Sequence, residues 1–398
     1  MNEAYVVESA IACALGNTLE EAWPRLCRGE SAIDPVATFE TDRLDYHRAA
    51  CVRGLETGSE PNLICALMRR ALTQLGRVPE DTVVIWAGVK GNVEYIQARS
   101  NETPRPTVYR PRHYRRWVCQ QLGIEDRGME VNAACAASTA GLALGAQMIS
   151  LGECSSVLVC AADIVSRFTF VGFGSLKALT PTTCRPFDVD RDGLILGDGA
   201  AAILLAGDAA VSEHDFTPLA RLTGWGISND ANHITGPARD GCGLVAAIRA
   251  ALAKSGLAPD RLEAWCAHGT GTGHNDGMEL TALEKVFGDR RFPVFSVKGA
   301  IGHTLGAAGA IETAICVEAL SRKLVPATAA LATPEPRAIN RAEHEPQPFA
   351  GRNIMTTNSG FGGINAALVL ETPLPAPRAR QTGGCGSPEC ETRAGEES

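Results

Sequence analysis

The sequence lacks the marks of several protein classes, and each absence narrows its possible function. It has no C-x-x-C and no H-x-x-x-H spacing, which argues against a structural or catalytic zinc site. Its N-terminus, MNEAYVVESAIACALG, has neither the basic region nor the long apolar stretch of a signal peptide. A net charge of -8 gives no reason to expect nucleic acid or a membrane surface as a partner. We therefore expect a cytoplasmic protein without a membrane span, and the scattered cysteines fit a reducing compartment.

Apolar runs with strand character alternate with helical patterns along most of the 398 residues. The strand-like runs are 82–89, 156–164, 201–207, 262–269 and 293–298, and the helical patterns include 243–257 and 309–323. Such alternation predicts α/β layers with largely parallel sheets. A hydrophobic content of 45% is enough for a buried core.

The composition changes near the C-terminus. Residues 373–398 are rich in proline, glycine and charge and have almost no large apolar side chain. This composition predicts a disordered tail. Cys385 and Cys390 lie in it, and a regulatory disulfide or a metal pair is the alternative to an uninvolved tail.

Cys135 stands at a sharp change in the pattern. The stretch 131–150, VNAACAASTAGLALGAQMIS, begins with a β-branched residue and continues with small and apolar residues. It predicts a strand, a turn with Asn132 as the helix N-cap, and a buried helix whose first turn holds Cys135. Free amides and the helix dipole favour a thiolate there, so Cys135 is a candidate nucleophile. Alternatively, it is only a small apolar residue of a buried helix.

Two later segments carry histidines, and a third is rich in glycine. His268 lies in AHGTGTGHNDGMEL, and Lys298 and His303 lie in SVKGAIGHTLGAAGA. NSGFGGINAALVLE is a glycine-rich turn that leads into an apolar strand. GTGTG matches neither common phosphate-loop pattern. A cysteine with histidines far downstream is expected when a nucleophile and its proton-handling partners meet only in the fold.

Together these segments resemble a β-ketoacyl synthase, a condensing enzyme of the thiolase superfamily. CRPFDVDRDGLILGDGAAAILL, residues 184–205, also matches the PFD, RDG and G-[ED]-G signature of that family. The resemblance implies an α/β, thiolase-like fold in which two similar βαβαβαββ halves form a layered αβαβα core. We expect an N-terminal half with the nucleophile at residues 1–210 and a C-terminal half with the histidines at residues 211–372. Residues 373–398 form the tail.

The resemblance also implies roles for the candidate residues. Cys135 carries an acyl group as a thioester, and its amide forms an oxyanion hole with the amide of Phe361. His268 and His303 point Nε2 at the malonyl thioester carbonyl, where neutral imidazoles stabilise the enolate left by decarboxylation. Lys298 tunes and orients both histidines. The alternative for Lys298 is a solvated surface lysine.

Other positions have supporting roles by the same resemblance. Glu312 joins the network of the lysine, and Thr270 and Thr272 bind the amides of a phosphopantetheine arm. The alternative for the threonines is backbone capping in a turn. Glycines let the backbone approach the substrate closely, at Gly360, Gly362 and Gly363.

A group of charged residues follows the PFD motif. It consists of Asp188, Arg191, Asp192 and Asp198. We interpret it as structural ion pairs beneath the active site, with a catalytic carboxylate cluster as the alternative.

The family implies a stand-alone ketosynthase that catalyses decarboxylative Claisen condensation, because the sequence shows no acyltransferase or carrier domain. Two alternatives remain. One is a chain-length-determining partner subunit, although such subunits lack the nucleophile. The other is a thiolase, whose second cysteine would have to be Cys385. The usual N-S-F-G-F-G-G motif is one aromatic short here, and CRPFD follows PTT directly, which resembles synthases of aryl-polyene-like specialised pathways.

The expected partner is an acyl carrier protein, which carries the substrates on phosphopantetheine, and no cofactor is expected to be bound. The family also implies a homodimer, or a heterodimer with a ketosynthase-like subunit. The stretch RPTVYRPRHYRRW, residues 105–117, mixes arginines with aromatics and is one candidate docking face for the carrier. A dimer-interface or solvated role is the alternative.

Overall fold

The computed structural model of the protein describes residues 2–91, Val93 and residues 110–373. The predicted disordered tail lies outside the described residues except for Pro373, and so do Cys385 and Cys390. The candidate docking stretch at 105–117 is described only from Arg110 onward.

Strands and helices alternate along the chain, as the hydrophobic pattern predicts. The strands are β1 (Ala4–Cys13), β2 (Asp34–Pro35), β3 (Arg48–Ala49), β4 (Val83–Ala87), β5 (Gly128–Val131), β6 (Ser156–Asp163), β7 (Gly199–Gly207), β8 (Ala220–Asn229), β9 (Trp265–Cys266), β10 (Val294–Phe295), β11 (Leu324–Val325), β12 (Gln347–Pro348), β13 (Asn353–Gly360) and β14 (Ile364–Glu371). The helices are α1 (Leu19–Cys27), α2 (Leu63–Leu72), α3 (Pro111–Leu122), α4 (Ala137–Leu151), α5 (Arg167–Ser175), α6 (Asp208–Glu213), α7 (Cys242–Ser255), α8 (Gly273–Phe287), α9 (Lys298–Ile301) and α10 (Ala308–Arg322).

Within the described residues, ten strands form one mixed sheet in the order β10-β9-β13-β14-β8-β1-β7-β6-β4-β5. β4 lies parallel to β5 and β6, and β9 lies parallel to β10 and β13. β1, β8 and β14 have antiparallel neighbours, and β6 pairs antiparallel with β7. The prediction of largely parallel sheets is therefore wrong. The reason is that β6 and β7 are buried at every position although they pair antiparallel with each other. Their continuous apolar runs therefore have the sequence pattern that is typical of parallel strands.

The two halves of the sheet meet at a narrow joint. β1 pairs with β7 along its length, but it pairs with β8 only through Tyr5 with Arg221 and Val6 with Ala220.

Two helices, α4 and α10, lie between the halves. α4 packs on β4, β6 and β7 of one half and on β8, β13 and β14 of the other, and α10 contacts α4, β7 and β13. The apolar cluster around them includes Leu142, Ile311 and Ile315. α2 and α3 cover the outer face of the first half, and α7 with α8 covers that of the second. The layers therefore follow the order αβαβα.

The central position of α4 explains its composition. Ala134–Leu151 is long and apolar enough to cross a membrane, but 67% of it is buried inside the protein. Small residues let it approach the sheet closely, and a Cβ at Gly145 would lie only 2.9 Å from Cγ1 of Val157. We therefore assign this apolar segment to the core.

Candidate active site

Cys135 lies in a tight turn between β5 and α4. Asn132 is not the N-cap of the helix, because its side chain accepts a hydrogen bond from the Ala134 amide and donates one to the Val89 carbonyl. Ala134 has a φ of 48°, and the helix begins only at Ala137. Cys135 therefore precedes the helix, and the prediction that it lies in the first turn is wrong. The hydrogen bonds of Asn132 form the turn that delays the helix start.

Burial decides the protonation of Cys135. The residue is 6% exposed, and burial raises the pKa of its thiol to about 12 although the charge of Lys298 lowers it. The prediction that the helix start stabilises a resting thiolate is wrong, because desolvation outweighs the favourable charge and amides. The backbone amides of Phe361 and of Cys135 itself lower the pKa of the thiol, but less than burial raises it. These are the two amides that the sequence analysis assigned to the oxyanion hole.

His268 is held in place by a carboxylate that the sequence analysis missed. Glu279 Oε1 accepts a hydrogen bond of 2.6 Å from the His268 amide, and Oε2 accepts one of 2.7 Å from the Gly269 amide. Its neighbour Asp276 accepts from the Thr270 amide at 3.0 Å. Burial raises the pKa of Glu279 to about 8, and the charge of Asp276 contributes. The backbone around His268 is thus fixed by two buried acidic side chains.

A sequence signal for these carboxylates existed. Asp276 and Glu279 share the spacing of one helical face with Leu280 and Leu283, which are buried. An acidic side chain on the apolar face of a helix must find polar partners inside the protein. The backbone amides of the buried loop that carries the histidine supply these partners.

His303 lies in a turn after α9 that is bound to the strand-like segment before β7. Its amide donates to the Ile195 carbonyl at 2.6 Å, and its carbonyl accepts from the Gly197 amide at 3.0 Å. Its ring centroid lies 5.1 Å from that of His268, with the two planes 84° apart. Nδ1 of His303 is buried and has no hydrogen-bond partner within the described part of the chain. The fold therefore brings both predicted histidines together.

Lys298 is buried behind the histidines and is not a surface lysine. It is 1% exposed, and its Nζ lies 2.5 Å from Glu312 Oε1 and donates to the His268 carbonyl at 2.6 Å. The ion pair with Glu312 raises the pKa of Lys298, although burial alone lowers it. Lys298 therefore stays charged, as the predicted lysine–glutamate network requires.

Asn358 completes this network and was also missed. Its Nδ2 donates to Glu312 Oε2 at 2.8 Å and lies 3.0 Å from Nδ1 of His268, while the Thr139 hydroxyl donates to its Oδ1. A carboxylate only accepts, so the NH2 group of Asn358 must face Glu312 and therefore also His268. Nδ1 of His268 is then the acceptor, and the ring proton is on Nε2.

Both histidines are neutral in this environment. Burial, the charge of Lys298 and the neighbouring His303 lower the pKa of His268 well below its ordinary value. Burial and Lys298 do the same for His303. Each ring therefore has one N–H to donate and carries no charge of its own.

Phe361 lies at the tip of the β13–β14 hairpin. Gly362 and Gly363, which follow it, have φ values of 88° and 82°, a region that favours glycine. The Gly362 amide donates to the Ile234 carbonyl at 2.7 Å. The Phe361 ring stacks on that of Phe173 in α5, with centroids 5.5 Å apart. The loop thus holds its shape with a single aromatic residue.

A cavity of about 1090 Å³ brings the candidate residues together. Its lining includes Cys135, His268, Thr270, Thr272, His303, Gly360, Phe361 and Gly363. The hydroxyls of Thr270 and Thr272 lie 2.9 Å apart, and Thr272 also caps the N-terminus of α8. Lys298 and Glu312 lie behind this wall. In the described ranges, no group of three or more His, Cys, Asp or Glu could hold a metal ion.

The charged residues after the PFD motif are arranged differently from our expectation. Arg191 forms an ion pair of 3.0 Å with Glu335 and donates to the backbone of Asp188. Asp188 and Asp198 accept hydrogen bonds from backbone amides of other segments, and Asp192 lines the cavity. Arg191 thus forms its ion pair with a residue outside this group, whereas Asp188 and Asp198 bind backbone amides.

The fold is a mixed sheet around two buried helices, and a cysteine and two histidines line one cavity. These features define the class of thiolase-like acyltransferases. The family descriptions "Beta-ketoacyl synthase, N-terminal domain" and "Beta-ketoacyl synthase, C-terminal domain" match residues 70–210 and 219–332. The chain belongs to the β-ketoacyl synthase family.

Relatives and solved structures agree with this assignment. The chain is 28% identical to 3-oxoacyl-[acyl-carrier-protein] synthase 2 of Vibrio cholerae, over 90% of this chain and 96% of the relative. It is similar to the ishigamide ketosynthase/chain length factor structure, with 27% identity, a TM-score of 0.84 and coverage of 94% and 99%. It is also similar to a ketosynthase in complex with its chain length factor from Xenorhabdus doucetiae, with 26% identity, a TM-score of 0.80 and coverage of 94% and 98%. The protein is therefore a ketosynthase with a thiolase-like fold.

Proposed function

We propose that this chain joins an acyl group held on Cys135 to a two-carbon unit from malonyl-acyl carrier protein, through the residues of the cavity described above. One observation carries the assignment of roles. Cys135, Phe361 and two neutral histidines line one cavity, and the backbone amides of Cys135 and Phe361 lower the pKa of the Cys135 thiol against the effect of burial. Each of these groups serves a different step of the condensation.

The first step loads the enzyme. Sγ of Cys135 attacks the carbonyl carbon of an acyl thioester, and the amides of Cys135 and Phe361 donate to the oxyanion that forms. The bond to the carrier sulfur breaks, and the thiol proton of Cys135 ends on that departing sulfur. The high pKa of the Cys135 thiol means that it loses its proton during the attack and not before.

The second step breaks the bond between the malonyl carboxylate and the methylene carbon. CO2 leaves, and its bonding pair passes into the thioester as an enolate. The Nε2–H groups of His268 and His303 donate to the enolate oxygen. The enolate carbon then attacks the acyl carbonyl on Cys135, and the sulfur of Cys135 leaves and takes up a proton again. Burial and the charge of Lys298 keep the histidines neutral, because both lower their pKa.

Two hydroxyls of the cavity wall suit a carrier arm. Thr270 and Thr272 line the same cavity as the histidines, and their hydroxyls, 2.9 Å apart, can bind the amides of phosphopantetheine. Arg239 also lines the cavity, and a basic group of this kind complements an acidic carrier protein. No bound cofactor is needed for these steps, because the carrier delivers both substrates.

We infer a dimer, either of two copies or with a ketosynthase-like subunit, in the cytoplasm. Among the described residues β5 is an edge strand of the sheet and leads directly into the nucleophile turn. An edge strand offers unpaired backbone groups to another chain. Phe168 and Val171 of α5 are 62% and 41% exposed, and such apolar surface supports a partner there.

Mass spectrometry tests the central role. We would incubate the protein with a panel of acyl-carrier thioesters and determine which acyl mass is attached to which peptide. We expect acylation of Cys135 and none in Cys135→Ala, whereas Cys242→Ala, which lacks an exposed cysteine, should label normally. An adduct on another cysteine with Cys135 unlabelled would contradict the proposal. The acyl mass that is retained also identifies the primer.

A further inference from the structure

The Thr139 hydroxyl joins the helix that follows the nucleophile to the network behind the histidines. Thr139 lies in the first turn of α4, four residues after Cys135, and is fully buried. A threonine in a helix can return its hydroxyl proton to a carbonyl of the preceding turn. Here the hydroxyl donates instead to Oδ1 of Asn358 on β13, 219 residues away along the chain. The hydrogen bond therefore crosses from the half of the cysteine to the half of the histidines.

The packing around this bond leaves no room for another side chain. Gly309 lies in the first turn of α10, and a Cβ at this position would overlap the Thr139 hydroxyl. The same Cβ would lie 2.7 Å from Oδ1 of Asn358. A second contact holds α10 in this place, because the Ala310 amide donates to Oγ of Ser138 at 2.9 Å. The absence of a side chain at Gly309 thus lets α10 close over the hydrogen bond.

The hydrogen bonds of Asn358 support one another. Its Nδ2 group donates to Glu312 and to Nδ1 of His268, so both of its protons are used. Within the described part of the chain, Thr139 is the only donor to Oδ1. A buried oxygen without a donor is unfavourable, and a bond accepted by Oδ1 also strengthens those that the same amide donates. The hydroxyl therefore stabilises the amide in the place from which it reaches His268.

We propose that Thr139 is a positioning residue for the condensation: its hydroxyl holds the Asn358 amide against Nδ1 of His268 and so keeps the ring proton on Nε2. Thr139 is not part of the described cavity wall, and it acts through Asn358. The catalytic consequence rests on the proposed function, whereas the tautomer of His268 can be measured without any malonyl chemistry.

The tautomer is tested by nitrogen NMR of protein isotopically labelled at histidine, because protonated and unprotonated ring nitrogens give well-separated signals. The signals of His268 are identified by their loss in His268→Ala, and wild type should show an unprotonated Nδ1. Thr139→Val replaces the hydroxyl by a methyl group of similar size, and should shift the Nδ1 signal towards that of a protonated nitrogen. Thr139→Ser keeps the hydroxyl and should keep the wild-type spectrum. An unshifted His268 signal in Thr139→Val would overturn the proposal.

The catalytic consequence is tested by the rate of malonyl decarboxylation. Thr139→Val should lower kcat about tenfold, which is the scale of one lost hydrogen bond, and should leave KM nearly unchanged. Alkylation of Cys135 with iodoacetamide should keep the wild-type rate, because it does not use the histidines. Thr313→Val is the matched control, since it also removes a buried hydroxyl at α10, but one that donates to the Gly309 carbonyl. A Thr139→Ser protein as slow as Thr139→Val would show a role in packing and overturn the proposal.

A double variant separates action through Asn358 from a general change in packing. In an Asn358→Ala background the amide is absent, so Thr139→Val should cause no further loss of decarboxylation. A further loss of similar size there would overturn the proposal. If Thr139→Val does not fold, Thr139→Ala removes the same hydroxyl and replaces it in every comparison. If wild type decarboxylates no malonyl thioester, the proposed function fails, whereas the tautomer of His268 still decides the role of Thr139.

Discussion

The side-chain nitrogen Nδ2 of Asn358 lies 3.0 Å from Nδ1 of His268 and sets the tautomer of that histidine. The same nitrogen donates to Glu312, so the orientation of the amide is fixed by a group that can only accept. His268 therefore presents Nε2–H, which is the form that can donate to an enolate oxygen. The network around Lys298 thus acts on the reaction through the position of one ring proton.

Asn358→Asp should reverse this arrangement. A carboxylate next to Nδ1 favours the proton on Nδ1, so Nε2 becomes an acceptor and loses its hydrogen bond to the enolate. We expect malonyl decarboxylation to fall about 10²-fold or more, the scale of one lost oxyanion donor, with kcat affected more than KM. Asn353→Asp, on the same strand but bonded to residues 261 and 263, is the control. Equal rates in the two variants would contradict the tautomer assignment.

The reactivity of Cys135 should depend steeply on pH. Because burial raises its pKa to about 12, the thiolate fraction should grow roughly tenfold per pH unit across pH 7 to 9, with no plateau. Lys298→Met should lower the alkylation rate at every pH, since the lysine charge lowers that pKa. The measurement is iodoacetamide labelling followed by peptide mapping, with Cys135→Ala as the blank. A plateau near pH 7 would show a preformed thiolate instead.

Replacement of either catalytic histidine should impair decarboxylation while acylation of Cys135 persists. His268→Ala or His303→Ala should slow malonyl decarboxylation about 10²-fold or more, because each removes one donor from the enolate. Acylation of Cys135 should persist at least partly, because its oxyanion is held by backbone amides and not by imidazole. His344→Ala, at an exposed position far along the chain, is the control. Complete loss of acylation in both variants would indicate a Cys–His pair of the protease kind.

Phe361 should affect condensation more than simple access to the thiol. Its ring is only half-buried and stacks on Phe173. Truncation should therefore destabilise the protein by less than the roughly 3 to 5 kcal/mol that is lost when a fully buried Phe is replaced by Ala. Phe361→Ala should slow condensation more strongly than alkylation of Cys135, because only condensation needs the loop to hold the oxyanion amide and to admit substrates in order. Phe173→Ala is the matched variant that removes the stacking partner alone. A Phe361→Ala protein of reduced stability that condenses at the wild-type rate would show a purely structural role.

Glu279 should make stability depend on pH. Its pKa rises from an ordinary 4.5 to about 8 on folding, so the folded state holds a proton that the unfolded state has released. Its stabilising effect is complete below pH 4.5 and is lost as the pH rises to about 8. The free energy of unfolding, measured with urea, should differ less between pH 5 and pH 8 for Glu279→Gln than for wild type. Glu284→Gln, exposed on the same helix, should behave like wild type, and an unchanged difference in Glu279→Gln would contradict the assignment.

Much of the site could be predicted because its motifs are local. Cys135, His268, Lys298, His303 and Phe361 stand in segments rich in glycine and other small residues, whose pattern is specific to one family. The structure places Cys135, His268, His303 and Phe361 on the wall of one cavity, and Lys298 contacts the His268 carbonyl from behind it. The alternation of strands and helices was equally visible, since it depends on hydrophobic periodicity within each segment.

The rest depended on tertiary packing. The strand directions could not be obtained from β6 and β7, because both are buried on both faces. The state of the Cys135 thiol is set by desolvation, which no local pattern reports, and the helix start that we expected to govern it lies two residues further along. The helical spacing indicates that Glu279 lies on an apolar face and needs polar partners, but only the tertiary structure shows that these are amides of the histidine loop.

The helices α4 and α10 belong to neither half of the sheet alone, since their apolar surfaces are covered from both sides. If either half of the sheet unfolds, the apolar surfaces of these helices and of the other half become exposed to water. The nucleophile turn begins one of these helices, and the turn of His303 leads into the other. On heating, the enzyme should therefore lose catalysis and structure in one event, with no stage at which a loaded cysteine survives beside a melted histidine half.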